Sequence, residues 1–374
     1  MKTNKLLILA ILILMRQFNV DNCIRLDDFL NNYLTIISEC FLNLRDGKVG
    51  QSIGKGNFGT VYKCDVELPD KKKFKIAMKH MKTNEKNKVA SIMEIKVLQE
   101  IGKIKSVFLP FYYGCIYDEK NKNLYALMEH FDSEFNLNFL CNKPEYKQLR
   151  CSSSSNNFYY KIEILYGIAA AFNELHKKGL GHFDIKPSNL MIKYGVPIVK
   201  PIDFGLAYLV EPSKMTKPNK DFNELPWISR GTPLYMDPSS PGFKSANLKS
   251  DVYSLGITFI EIMFPFLGKS GYHGYQDKAT RDHEFTIMLN NQIKILNQQS
   301  NNLNKSRARF YEMLKSMIAT QIGNRPTMET VKTILMEILN QGLPKSAFLV
   351  DKDILDIYQK QYDTELGSNI FIRR

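Results

Sequence analysis

The sequence lacks a metal-binding cysteine pattern. Its six cysteines, Cys23, Cys40, Cys64, Cys115, Cys141 and Cys151, include no CxxC pair and no Cys/His cluster at ligand spacing. A structural zinc site is therefore not expected. Long apolar runs are scarce too. The single candidate is Leu6 to Met15, ten unbroken apolar residues after the basic start Met1-Lys2-Thr3-Asn4-Lys5, closed by Arg16. Ten residues reach about 15 Å as a helix, against the ~30 Å hydrocarbon core of a bilayer. No membrane span is expected beyond an N-terminal anchor. The pattern matches the n-region and h-region of a secretory signal, although Gln17 to Cys23 offers no small-x-small cleavage site. Residues 1–22 are read as a signal peptide or anchor. The chain then belongs to the secretory pathway if this segment acts as a signal, and to the cytoplasm otherwise. Aromatic-basic interleaving is also missing. The net charge of +13, from 51 Lys+Arg against 38 Asp+Glu, is read as a lysine-rich surface, and no nucleic-acid partner is expected.

The 374 residues suffice for two packed lobes and an extension, and 44% hydrophobic with 24% charged residues is an ordinary globular balance. The most informative stretch is Gly181-His182-Phe183-Asp184-Ile185-Lys186-Pro187-Ser188-Asn189. It sets an acid, a cation and a neutral oxygen ligand at intervals of two, three and five. An acid can hold a hydroxyl nucleophile, a cation can neutralise phosphate, and an amide oxygen can take Mg²⁺. Phosphoryl transfer needs this combination, because its catalysis is mostly positioning and charge neutralisation. Nineteen residues after Asp184 comes Asp203-Phe204-Gly205, a second carboxylate. Upstream, Gly54-Lys55-Gly56-Asn57-Phe58-Gly59 is followed by strand-forming Thr60-Val61-Tyr62. That order suits a hairpin over a triphosphate better than a helix start at a pyrophosphate. Phe74 to Lys79 alternates like a half-buried strand, where a lysine is odd unless it has an anionic partner.

Together these motifs resemble the eukaryotic protein kinase family, over roughly residues 45 to 340. The resemblance implies an α+β, two-lobed fold, with a small β-rich lobe at 48–131 and a larger, mainly helical lobe at 132–340. A helical extension over 23–47 and a tail over 341–374 flank it, the tail with an amphipathic segment from Ile354 to Tyr362. It implies an enzyme that uses ATP and Mg²⁺ to phosphorylate Ser/Thr hydroxyls of protein substrates. The roles it implies are as follows. Asp184 accepts the hydroxyl proton, Lys186 steadies the transferring phosphoryl group, and Asn189 and Asp203 hold Mg²⁺. Lys79 binds phosphate and pairs with Glu94; Glu85 falls too near the strand, and Glu100 lies past the apolar face of Ile95 and Leu98. Gly54, Gly56 and Gly59 admit the phosphates. Val61, Ala77, Met128 and Met191 enclose adenine, and Glu129 and Phe131 hydrogen-bond it through their backbones. Thr232 braces Asp184 and Lys186, and Asp251 supports the catalytic loop from beneath.

Two departures stand out. Phe183 occupies the place where the family usually has an arginine that collects an activation-loop phosphate. Ser239 occupies the place of a glutamate whose arginine partner, Arg325, is present; Asp237 is the candidate substitute. Residues 265–306 read as poorly periodic, Cys151 to Asn157 as a low-complexity loop, and residues 23 to 45 as a helix. The cysteines are buried hydrophobes in a reducing compartment; in the secretory pathway Cys141 and Cys151 are candidates to close their loop. A catalytically weak kinase-fold scaffold is the competing reading.

Overall fold

The computed structural model describes residues 23–25, 51–56, 59–67, 73–83, 88–131, 136–137, 155–192, 198–210, 231–239, 247–264, 278–299 and 301–342. The small lobe is a six-stranded sheet in the order β1-β5-β6-β4-β3-β2. Its strands are β1 (Ile24–Arg25), β2 (Ser52–Gly56), β3 (Gly59–Glu67), β4 (Lys73–Lys82), β5 (Tyr112–Asp118) and β6 (Asn123–Glu129). Neighbours from β2 to β5 pair antiparallel, and β1 joins β5 in parallel. On β4 the run Ile76, Ala77, Met78 and Lys79 is buried throughout, as befits a central strand covered on both faces. Helix α1 (Lys88–Gly102) packs against β5 and buries Ile95, Leu98 and Ile101, one stripe at helical spacing.

The larger region is mainly helical. Helix α2 (Ser155–Lys177) buries Leu165, Ile168, Phe172 and Leu175. It stops because Gly179 turns left-handed at φ 72°, a conformation glycine adopts without steric penalty. Next come β7 (Leu180–Gly181), a 3-10 turn at Pro187–Asn189, β8 (Leu190–Ile192), β9 (Val199–Pro201) and β10 (Tyr208–Leu209). Two small antiparallel ladders, β8 with β9 and β7 with β10, brace the loop between them. Helix α3 (Leu248–Met263) starts at Asn247, whose side chain accepts from the Lys249 amide. Helices α4 (Lys278–Asn297), α5 (Asn302–Met317) and α6 (Met328–Gly342) complete the layer.

Several expectations need correction. Residues 265–306 are not aperiodic: α4 takes up Lys278–Asn297, with Phe285, Leu289, Ile293 and Leu296 buried at helical spacing. Asn290, Asn291 and Gln292 occupy its exposed face, and their polarity masked the stripe. Ser155 to Asn157 form the first turn of α2. Ile24–Arg25 are a strand and not a helix; the rest of the expected N-terminal helix, the leader-like run, Cys141, Cys151 and the tail lie outside the described residues. A disulfide links Cys23 to Cys115 across 92 residues, and Cys64 is disulfide-bonded as well. In the chain-entropy picture, closing a loop of that length stabilises the fold by about 4.6 kcal/mol.

The arginine left over by Ser239 has a partner. Arg325, 2% exposed, forms a fork with Asp237, Nη1 to Oδ2 at 2.5 Å and Nη2 to Oδ1 at 2.8 Å. Asp237 also accepts from the Ser239 amide and hydroxyl and from Ser250. Burial alone would raise the Asp237 carboxyl, but the Arg325 bonds and charge, helped by Ser239, hold it below the usual carboxylate range. Its stabilising contribution is present above the unfolded carboxylate pKa and is lost as pH falls through the depressed folded value. Removing one partner leaves a buried unpaired charge, so Asp237→Ala is expected to destabilise the fold by about 3 kcal/mol. Chemical denaturation at neutral pH checks this; an unchanged midpoint would contradict it.

Candidate active site

A buried lysine fixes the geometry of the cleft. Lys79 lies on β4, in register with Val61 on β3 and Ala126 on β6, and is 5% exposed. An ammonium so placed must be paired. Its Nζ reaches Glu94 Oε1 of α1 at 2.5 Å and Asp203 Oδ1 at 2.9 Å. Burial acts to lower the Lys79 pKa, but the charges of Asp203 and Glu94 outweigh it and raise it above the ordinary lysine value. Lys79 in turn holds Asp203 below the usual carboxylate range. Glu94 is pushed up by burial, with Lys79 opposing. Glu94 Oε2 has no hydrogen-bond partner among the described residues. Glu100 takes no part, being paired with exposed Lys103; Glu85 lies outside the described residues.

The loop from His182 to Asn189 is held from both sides. From beneath, Asp251 of α3 accepts from the His182 amide at 2.7 Å and the Phe183 amide at 2.8 Å, and His176 Nε2 sits 3.0 Å from it. From the front, Thr232 donates its amide and hydroxyl to Asp184 Oδ1 at 3.1 and 2.8 Å. Lys186 Nζ reaches Asp184 Oδ2 at 2.8 Å and Thr232 Oγ1 at 2.6 Å. Asn189 Nδ2 donates to the Asp184 carbonyl and to Asp184 Oδ2. Phe183 and Asp203 both sit at φ 60°, a conformation unusual for side chains other than glycine and a mark of functional loops. The Phe183 ring explains Gly181: a Cβ there would come within 2.3 Å of it. Phe183 packs with Val210, Leu206, Tyr208, Met236 and Leu248, so this position is apolar.

Between the lobes lies a cleft of about 370 Å³. Gly54, Gly56, Gly59, Val61, Ala77, Lys79, Glu94, Met128, Glu129, Phe131, Met191, Asn189 and Asp203 all line it. Asp184 and Lys186 are not in its wall; they stand on the loop that carries Asn189. Ile53, Pro110, Ser188, Ile202 and Phe204 also line the cleft and were missed. Four of these adjoin a motif residue, a usable signal, whereas Pro110 carries none. Gly59 is required by its neighbour, since a Cβ there would meet the His80 carbonyl at 2.3 Å. Glu129 contributes more than a backbone: its carboxylate pairs with Lys200 at 2.6 Å and accepts from the Phe111 amide at 3.0 Å. Lys200 lies over the Phe111 and Phe131 rings as well.

The donor chemistry suits Mg²⁺ and a polyphosphate. Asp203 gives one oxygen to Lys79, and its other oxygen has no hydrogen bond among the described residues. Asn189 uses its NH₂ group on Asp184 and keeps its amide oxygen. Hard oxygen donors of this kind are what Mg²⁺ takes. The glycines of β2 and β3 leave room for phosphate above them.

Comparison with known proteins agrees with this geometry. Residues 48–335 match the model of the protein kinase domain. The Aurora kinase of Saccharomyces cerevisiae is 28% identical over 232 residues, 59% of this chain and 54% of that protein. The probable serine/threonine-protein kinase nek2 of Dictyostelium discoideum is 28% identical over 218 residues, 56% of this chain and 46% of that protein. The serine/threonine-protein kinase ATG1 of Candida glabrata is 25% identical over 256 residues, 59% of this chain and 26% of that protein. The chain spans about half the length of the Aurora relative. With a family match over most of its length and a buried Lys–Glu–Asp cluster at the head of a nucleotide-sized cleft, the chain belongs to the protein kinase family.

Proposed function

We propose that this protein is an ATP- and Mg²⁺-dependent kinase that phosphorylates Ser and Thr hydroxyls of protein substrates. The observation that carries the reading is the assembled cluster of Lys79, Glu94 and Asp203, with Asp184, Lys186 and Thr232 bonded together on the facing loop. Glu94 holds Lys79 where its ammonium meets the α- and β-phosphates. Val61, Ala77, Met128 and Met191 sandwich the adenine, and the Glu129 carbonyl and Phe131 amide hydrogen-bond its edge. Asn189 and Asp203 would hold the metal, which would supply positive charge against that developing on the transferred group. Asp184 orients the acceptor hydroxyl and takes its proton as the new P–O bond forms and the γ-phosphorus parts from the β,γ-bridging oxygen, with ADP as the leaving group. Lys186 steadies the transferring group, and Thr232 keeps both residues in place. Lys186 and Thr232 favour Ser/Thr over Tyr as acceptor.

Phe183 stands where the family usually carries an arginine. The side chains packed against it are apolar, and its own ring offers a phosphate no charge-assisted hydrogen bond. Activity therefore does not depend strictly on activation-loop phosphorylation. The triple substitution Ser213→Ala, Thr216→Ala and Ser229→Ala is expected to keep near-full activity in a peptide assay; complete loss would contradict this.

Transfer from labelled ATP to a generic basic protein and to the chain itself tests the main reading. Label on Ser or Thr is expected, and Lys79→Met and Asp184→Ala should each reduce it by about a hundredfold or more. A folded chain that binds ATP without turnover would instead identify a nucleotide-binding scaffold.

A further inference from the structure

The small lobe carries a covalent bond that the phosphoryl-transfer reading does not use. Cys23 and Cys115 are joined, with Cα atoms 4.9 Å apart. Both are buried, at 8% and 3% exposure. The bond fastens β1 to the outer edge of the sheet, where Ile24 pairs with Ile116 and Arg25 with Tyr117. A strand of two residues cannot hold a sheet edge by its own hydrogen bonds, so β1 depends on the bridge.

The position of Cys115 gives the bridge a longer reach. Cys115 pairs with Ala126, and Ala126 pairs with Lys79. Directly opposed residues point to the same face of a sheet, so the disulfide and Lys79 share one face. That face carries α1. Gln99 Nε2 of α1 lies 4.0 Å from Cys115 Sγ, and α1 packs on β5. Five residues earlier, α1 presents Glu94 to Lys79. The disulfide therefore backs one end of the helix whose middle supplies the partner of the buried lysine.

We infer that the Cys23–Cys115 disulfide is a positioning brace for α1, keeping Glu94 on Lys79, and that the protein works in its oxidised form. Reduction by a dithiol would break the S–S bond. The two sulfurs take up two electrons and two protons as the Cys23 and Cys115 thiols, and the dithiol is oxidised to its own disulfide. Once cut, β1 loses its covalent tie to β5, and the Cys115 sulfur against which Gln99 lies is no longer fixed by the bond. Such a bridge persists in an oxidising compartment, the same setting to which the leader-like run from Leu6 to Met15 points. The effect on catalysis rests on the kinase reading above; the effect on α1 does not.

The test uses the full chain. A non-reducing tryptic digest should contain the peptide that ends at Arg25, starting at Gln17 in the uncleaved chain and later after removal of the leader, linked to residues 106–120. Cys23→Ser removes this bridge and leaves that of Cys64. It should speed amide exchange across Lys88–Gly102 and lower kcat about tenfold, the size of a typical coupling between sites, with little change in the KM for peptide. Cys115→Ser should match it, and the double variant should be no worse, because one bond is lost in each case. If the variants fail to fold, exchange across the same helix is followed in folded Cys64→Ser protein as dithiothreitol is titrated in, so that loss of the Cys64 bond is common to every point of the titration. Absence of the linked peptide overturns the inference, as does unchanged exchange at α1 once the bridge is gone. If the wild type transfers no phosphate, the kinase reading fails while the exchange result still decides the role of the bridge.

Discussion

A lysine buried in the centre of a sheet sets the terms for the rest of this structure. Lys79 cannot remain there charged without anionic partners, and the two it has come from opposite sides of the cleft. Glu94 comes from α1 in the small lobe, and Asp203 comes from the loop after β9 in the large one. One cation thus couples the helix position to the loop that carries Asp203. Both carboxylates respond to it, and Asp203 is kept ionised by it. An ionised Asp203 is the form that can take a divalent cation.

The same logic of buried charge recurs in the large lobe. Asp251, fully buried, spends its oxygens on two backbone amides of the catalytic loop and on His176. This converts a flexible stretch around glycine into a platform with a defined conformation. Arg325 is satisfied by Asp237 although Ser239 supplies no charge. The anion has moved two residues along the chain, and the fork geometry of the guanidinium tolerates the move because Ser239 turns its hydroxyl onto the same carboxylate. Apolar packing replaces charge at one further place, where the Phe183 ring takes space that only Gly181 leaves open.

Much of this was legible in the sequence because the chemistry is carried by short runs. Asp184, Lys186 and Asn189 lie within six residues, and a tight turn brings them together whatever the rest of the chain does. Glu94 was legible through the resemblance, which assigns the lysine's partner to this helix, while the apolar face of Ile95 and Leu98 set Glu100 aside. What stayed hidden depended on contacts between distant segments. The Cys23–Cys115 pairing joins residues 92 apart, and six cysteines give no means of choosing partners by spacing. The Glu129–Lys200 pair is likewise a product of tertiary placement. Helix α4 was obscured for a different reason: asparagine and glutamine dominate its exposed face, and the apolar stripe of Phe285, Leu289, Ile293 and Leu296 was lost among them. The two-residue strand β1 has no periodicity to read.

The account holds that the Lys79–Glu94–Asp203 cluster is assembled before any activating event. The most direct measurement is the progress curve of phosphatase-treated protein, mixed with Mg²⁺ and ATP and sampled from the first turnover. The account predicts product that rises linearly from time zero. A lag that vanishes after preincubation with ATP would contradict it, because the cluster would then form only after the chain had been modified.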